Sequence, residues 1–201
     1  YNICRNGWFV KTMPDLNQDH PLVLNYLIQN SIWWIEYAGL DGLRVDTYSF
    51  NSKEGVAKWT KSIMQEYPDF SIVGEIWMLD QAQIAFWQKN SPVAAIQGYN
   101  SGLPYVMDFM LLDAMSKSFK ETEQGWKKGM VRVYENFIND FLYADADNLL
   151  VFFENHDTER FNERHPDIRD YKLALSLICT TRGIPQIYYG SEIGMKGERN
   201  F

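Results

Sequence analysis

The stretch Asp41-Gly42-Leu43-Arg44-Val45-Asp46-Thr47 decides the fold, because it places a short apolar strand, Leu43 to Thr47, between two helical patterns. Upstream, Asp19-His20-Pro21 has the form of a helix start, a capping acid with proline in the first turn. Leu24, Leu27, Ile28, Ile32 and Ile35 then recur at helical spacing until Gly39 stops the run. Downstream, Asn51 and Glu54 have capping-box spacing, and Val56, Trp59, Ile63 and Tyr67 continue one helical face to Pro68 and Asp69. Phe70 to Ile76 is the next β-branched run. Helix, strand, helix, strand in this order predicts parallel strands joined by right-handed crossovers.

The alternation continues. Tyr105 to Phe109 and Leu149 to Phe153 read as strands, Val131 to Tyr143 as helical, and Asp170 to Arg182 as a helix closed by Gly183 with Pro185 beyond it. Gln186 to Gly190 reads as the last strand. The sum is roughly five strands, where a closed parallel barrel of this kind needs eight. Residues 1–18, rich in Asn, Gly and Pro, read as irregular loop. No internal repeat or low-complexity tract interrupts the pattern.

A chain of 201 residues that is 46% hydrophobic can bury a sizeable core. Its net charge of -7 argues against a general nucleic-acid binder, which needs clustered Lys and Arg. The seven Trp and twelve Tyr suit a protein that stacks flat apolar faces, and equally suit a large aromatic core. No apolar run is long enough to span a membrane, and the first residues show no signal-peptide pattern. Cys4 and Cys179 make no disulfide framework, and Cys179 falls in an apolar helical pattern where a buried thiol acts as a small hydrophobe. Neither cysteine, nor His20, His156 or His165, sits at metal-site spacing, so a structural zinc is not expected.

Three acids stand at the ends of three apolar runs: Asp46, Glu75 in Gly74-Glu75-Ile76-Trp77, and Asp157 in Asn155-His156-Asp157. In a parallel barrel every strand delivers its last side chains to one face, so acids distant in sequence can converge there. These motifs resemble those of the α-amylase family of glycoside hydrolases, and the resemblance runs over nearly the whole chain. Asp41 to Asp46 is similar to the family's fourth-strand motif, Val73-Gly74-Glu75 to the fifth, Asn155-His156-Asp157 to the seventh, and Gly183 through Gly190 to the eighth. Met13-Pro14-Asp15-Leu16-Asn17 resembles a motif near the end of the small domain inserted in the barrel, in the form of the neopullulanase, cyclomaltodextrinase and oligo-1,6-glucosidase branches.

The fold class the resemblance implies is α/β, a partial (β/α)8 TIM barrel comprising roughly strands 4 to 8 with their helices. Residues 1–18 would end the inserted loop domain and residues 19–201 would form the C-terminal part of the barrel. Early strands and a C-terminal β-sandwich have no counterpart in the sequence, so the chain reads as a fragment that would be nearly inactive alone.

The residue types fit the implied chemistry. Glycosidic cleavage builds positive charge at the anomeric carbon, which calls for one ionised carboxylate and one protonated acid. The family makes Asp46 the nucleophile, and Arg44 on the same strand face would keep it ionised. Glu75 fits the acid/base role, since apolar Gly74, Ile76 and Trp77 would raise its pKa by desolvation. Asp157 and His156, with Asn155, would grip sugar hydroxyls, where contacts that strengthen in the transition state count most. Tyr48 and Trp77 either stack on sugar rings or pack in core or rim. Arg160 reads as a solvated partner of Glu159, or else as orienting the Asp157 loop, and Glu192 as a structural acid of the barrel mouth.

The expected mechanism is retaining, with carboxyls about 5–5.5 Å apart. It needs no cofactor or metal from this chain, although calcium is common in the family. The expected partner is an α-glucan or oligosaccharide, with no nucleic acid or membrane, and exposed barrel edges would favour a homo-oligomer. Asp46-Thr47-Tyr48-Ser49-Phe50 lacks the Lys-His pair many true α-amylases carry there, which points towards neopullulanase-like enzymes. A transglycosylase and a non-catalytic carbohydrate-binding relative are the alternatives. Localisation is open, since polymers are degraded outside the cytoplasm and short imported sugars inside it.

Overall fold

The computed structural model describes residues 7–123 and 125–197, which fall into two compact units. The first runs to Trp77 and resumes over Ala82–Met107; the second comprises Met78–Gln81 and the chain from Asp108 onward.

In the first unit a small antiparallel hairpin, β1 (Trp8–Val10) and β2 (Met13–Pro14), replaces the irregular loop expected from composition. Phe9 anchors it, meeting Phe50 edge-on at 5.0 Å. Helix α1 (Pro21–Ala38) buries Leu24, Ile28 and Ile35 and ends at Gly39, whose φ of 61° is the left-handed conformation glycine adopts without penalty. Its N-cap is His20, without a side-chain bond; Asp19, expected to cap, instead accepts from the Ser52 hydroxyl. Strand β3 (Gly42–Val45) leads to α2 (Lys53–Glu66), capped by Ser52 accepting from the Gly55 N–H at 3.3 Å. The cap thus falls one residue beyond Asn51, whose amide is drawn away to the carbonyls of Thr47 and Tyr48.

Strand β4 (Ser71–Gly74) runs parallel to β3 with Val45 opposite Gly74, and β5 (Tyr105–Met107) runs parallel to β4 with Gly74 opposite Val106. Between β4 and β5 lie two short helices, α3 (Gln81–Ala85) and α4 (Pro92–Ala95).

In the second unit α5 (Phe109–Lys120), capped by Asp108, is followed by α6 (Met130–Ile138), which tightens into a 3-10 turn over Asn139–Leu142 rather than continuing to Tyr143. Strand β6 (Leu149–Val151) pairs in parallel with β7 (Ile184–Pro185). The last strand is therefore earlier than the expected Gln186–Gly190: the ladder closes with the Gln186 N–H on the Val151 carbonyl, and the chain then turns at Tyr188. The loop after β6 carries α7 (Phe161–Arg164), and α8 (Ile168–Thr180) buries Tyr171, Ala174 and Ile178. Cys179 follows Ile178 by one residue, about 100° round the helix, and is exposed rather than buried. Cys4 lies outside the described residues.

Candidate active site

In the first unit, the register of β3 on β4 brings Arg44, Asp46 and Glu75 together. The ladder continues past both strands, with the Glu75 N–H donating to the Val45 carbonyl at 2.9 Å and the Tyr48 N–H to the Glu75 carbonyl at 3.0 Å. Arg44 then reaches both acids: Nη1 lies 2.7 Å from Asp46 Oδ1 and Nη2 lies 3.0 Å from Glu75 Oε1. The other Glu75 oxygen accepts the Thr47 N–H at 2.9 Å, with Thr47 held at a left-handed φ of 45°. Strain of this kind persists only where surrounding bonds hold it.

One guanidinium thus joins two carboxyls in unlike surroundings. The Asp46 side chain is 57% exposed and that of Glu75 only 7%. Burial raises the Glu75 pKa above the ordinary carboxylate range, and the hydrogen-bonded contact and charge of Asp46 push it the same way. The Thr47 N–H and the Arg44 charge oppose the rise.

The flanking aromatics divide. Tyr48 is fully buried: its hydroxyl shares a hydrogen bond of 2.8 Å with Thr60 Oγ1, and its ring meets Trp87 edge-on. Enclosed on all sides, it offers no face to a sugar and supports β4 instead. Trp77 keeps 43% of its surface exposed and retains a face for stacking.

In the second unit, Asn155-His156-Asp157 opens the loop after β6. Asp157 lies 3.0 Å from His156 Nε2, and both are accessible. Asn155 is buried: its side-chain oxygen accepts the Asp157 N–H at 2.9 Å, while Thr158 Oγ1 accepts the Asn155 N–H at 3.0 Å. Asn155 therefore shapes the turn that presents its two neighbours.

Arg160 corrects its sequence reading. It is buried, not solvated, and pairs with Glu154 at 3.2 Å, its guanidinium 4.0 Å from the Tyr188 ring centre, whereas Glu159 pairs with Arg164. Glu192 is exposed, and the structural acid of this region is Glu154, 1% exposed. Sequence reading passed over Glu154 although it directly follows the apolar run Leu149 to Phe153, where a charge must find a partner. Among the described residues no group of three His, Cys, Asp or Glu gathers to hold a metal ion, and no helix is long and apolar enough to cross a membrane.

A family model described as the alpha amylase catalytic domain matches residues 7–201. The chain belongs to the alpha-amylase family. It is 31% identical over 196 residues to a cyclomaltodextrinase of Bacillus sp., covering 94% of this chain and 31% of that protein. It is 29% identical over 188 residues to a cyclomaltodextrin glucanotransferase of Bacillus sp. (strain 17-1), covering 92% of this chain and 24% of that protein. Among solved structures, the alpha-amylase from Geobacillus thermoleovorans, complexed with acarbose, superposes with a TM-score of 0.81 at 31% identity over 97% of this chain and 42% of that one. The fold is therefore a portion of an α/β barrel, and the chain spans well under half the length of these relatives.

Proposed function

We propose that the protein carrying this chain is a retaining glycoside hydrolase that cleaves α-glucosidic bonds in cyclodextrins, maltooligosaccharides, pullulan or starch-like polysaccharides. The observation that carries this reading is the Arg44 bridge between an exposed carboxylate, Asp46, and a buried acid, Glu75, whose pKa is raised. Asp46, paired with Arg44, attacks the anomeric carbon; Glu75 gives its proton to the departing oxygen and afterwards takes one from the attacking water. Asp157 and His156 bind hydroxyls of the sugar being cleaved, and Trp77 stacks on a neighbouring ring. No step passes through a metal.

The test is hydrolysis of cyclodextrin, pullulan and soluble starch by the intact protein, compared with Asp46→Ala. Loss by several powers of ten supports a covalent nucleophile. Unchanged turnover refutes it, and binding of all three substrates without turnover points to a non-catalytic relative. The resemblance to a cyclomaltodextrin glucanotransferase favours a second reading, transfer to a sugar hydroxyl in place of water. Product analysis with and without an acceptor sugar separates the two.

A further inference from the structure

Glu154 has no part in the proposed reaction, yet its side chain is fully buried and surrounded by donors. Oε1 accepts from Ser191 Oγ at 2.5 Å, from Arg160 Nη1 at 3.2 Å and from the Tyr171 hydroxyl at 3.4 Å, and Oε2 accepts the Phe161 backbone N–H at 2.7 Å. Two of these four donors come from the far end of the loop that Glu154 itself opens. The carboxylate therefore closes the segment 155–160 upon itself, with His156 and Asp157 between the joined ends.

Arg160 fastens the same loop to the chain beyond β7. Its guanidinium lies 4.0 Å and 4.9 Å from the ring centres of Tyr188 and Tyr189, within range of cation–π attraction, and its N–H donates to the Gly197 carbonyl at 3.1 Å. Asn162 adds a bond of 2.5 Å to the Gly194 carbonyl. Inside the closure, Asn155 fixes the Asp157 N–H. A buried ion pair adds little stability over apolar residues of the same size. What it supplies here is geometry: an acceptor-only group facing only donors admits a single arrangement of the loop.

We infer that Glu154 and Arg160 are positioning residues that act through Asp157, holding it in register for the sugar hydroxyls it binds. This rests on the role of Asp157 proposed above. In Glu154→Gln the amide NH2 must face the Phe161 N–H or the Arg160 guanidinium, whichever way it turns, so the closure loosens while shape and volume are kept. A displacement of about 1 Å can cost on the order of 100-fold in rate.

The experiment is a double-mutant cycle in the intact protein, with Glu154→Gln, Asp157→Ala and both together. It measures kcat/KM on an aryl α-maltoside, normalised to sites titrated by a covalent inactivator. The expected result is a loss of roughly 10- to 100-fold for Glu154→Gln alone and almost none when Asp157 is already alanine. Equal losses in both backgrounds would show a role in folding alone and overturn the inference, as would full activity in Glu154→Gln. An Asp157→Ala variant as active as wild type would overturn the role of Asp157 and this inference with it. If Glu154→Gln does not accumulate, Arg160→Lys, which keeps the charge but loses the planar fork, carries the same cycle with the same outcomes.

Discussion

Replacing Arg182 by methionine should cost the second unit a large part of its stability. Its guanidinium donates to Asp108 Oδ2 at 2.7 Å, to Asp140 at 2.7 Å and 2.9 Å, and to Asn136 at 3.2 Å. Asp108 has no exposed side-chain surface, and it also caps the Leu111 N–H at 2.9 Å. Methionine fills similar volume, so the loss is electrostatic: removing one member of a buried pair costs about 3–5 kcal/mol. Asp140 is partly exposed and adds less.

The sign with pH follows from Asp108. Burial already raises its pKa and Arg182 holds that rise back, so without Arg182 the folded-state value moves further above the unfolded one. The variant's deficit is then largest near neutral pH and shrinks as pH falls and Asp108 takes up a proton in the folded state. Urea unfolding of the intact protein at pH 7.5 and 5.5 measures both effects, and Asp108→Asn added to Arg182→Met should recover much of the loss. A deficit below about 1 kcal/mol at neutral pH, or one that grows on acidification, would refute the reasoning.

Three further outcomes follow from the same geometry. The alkaline limb of the kcat/KM profile should report Glu75, with activity falling as pH rises through a value above the ordinary carboxylate range; a limb inside that range contradicts the burial argument. Gly74→Ala sets a Cβ 2.6 Å from Leu103 Cδ2 and 3.0 Å from Tyr48 Cγ, so thermal unfolding should show a loss of about 1–3 kcal/mol, with reduced turnover because Glu75 is the next residue. The fork of Arg132 and the Gly129 N–H lower Glu121 from 4.5 to about 2, so its stabilisation is complete above the unfolded pKa and is lost as pH falls towards 2. The stability difference between wild type and Glu121→Gln should therefore vanish over that window, and a constant difference would count against it.

The sequence by itself determined the order of elements and the candidate acids. Apolar runs at periods of two and 3.6 are local signals, and Gly39 marks a boundary because backbone geometry at a cap depends on a few neighbours. It also set Asp46, Glu75 and Asp157 at the ends of those runs, together with the family resemblance. Only the tertiary structure decided environments. Asn51 and Ser52 both have cap chemistry, and which one caps depended on where Thr47 and Tyr48 placed their carbonyls. Tyr48 and Trp77 look alike in sequence, but packing buried one against Thr60 and Trp87 and left the other exposed. Arg160 follows Glu159 directly, yet it pairs with Glu154, because a charge buried after β6 must be matched by whichever cation the fold brings to it. Burial and partner choice are sums over residues distant in the chain, and no local pattern carries that sum.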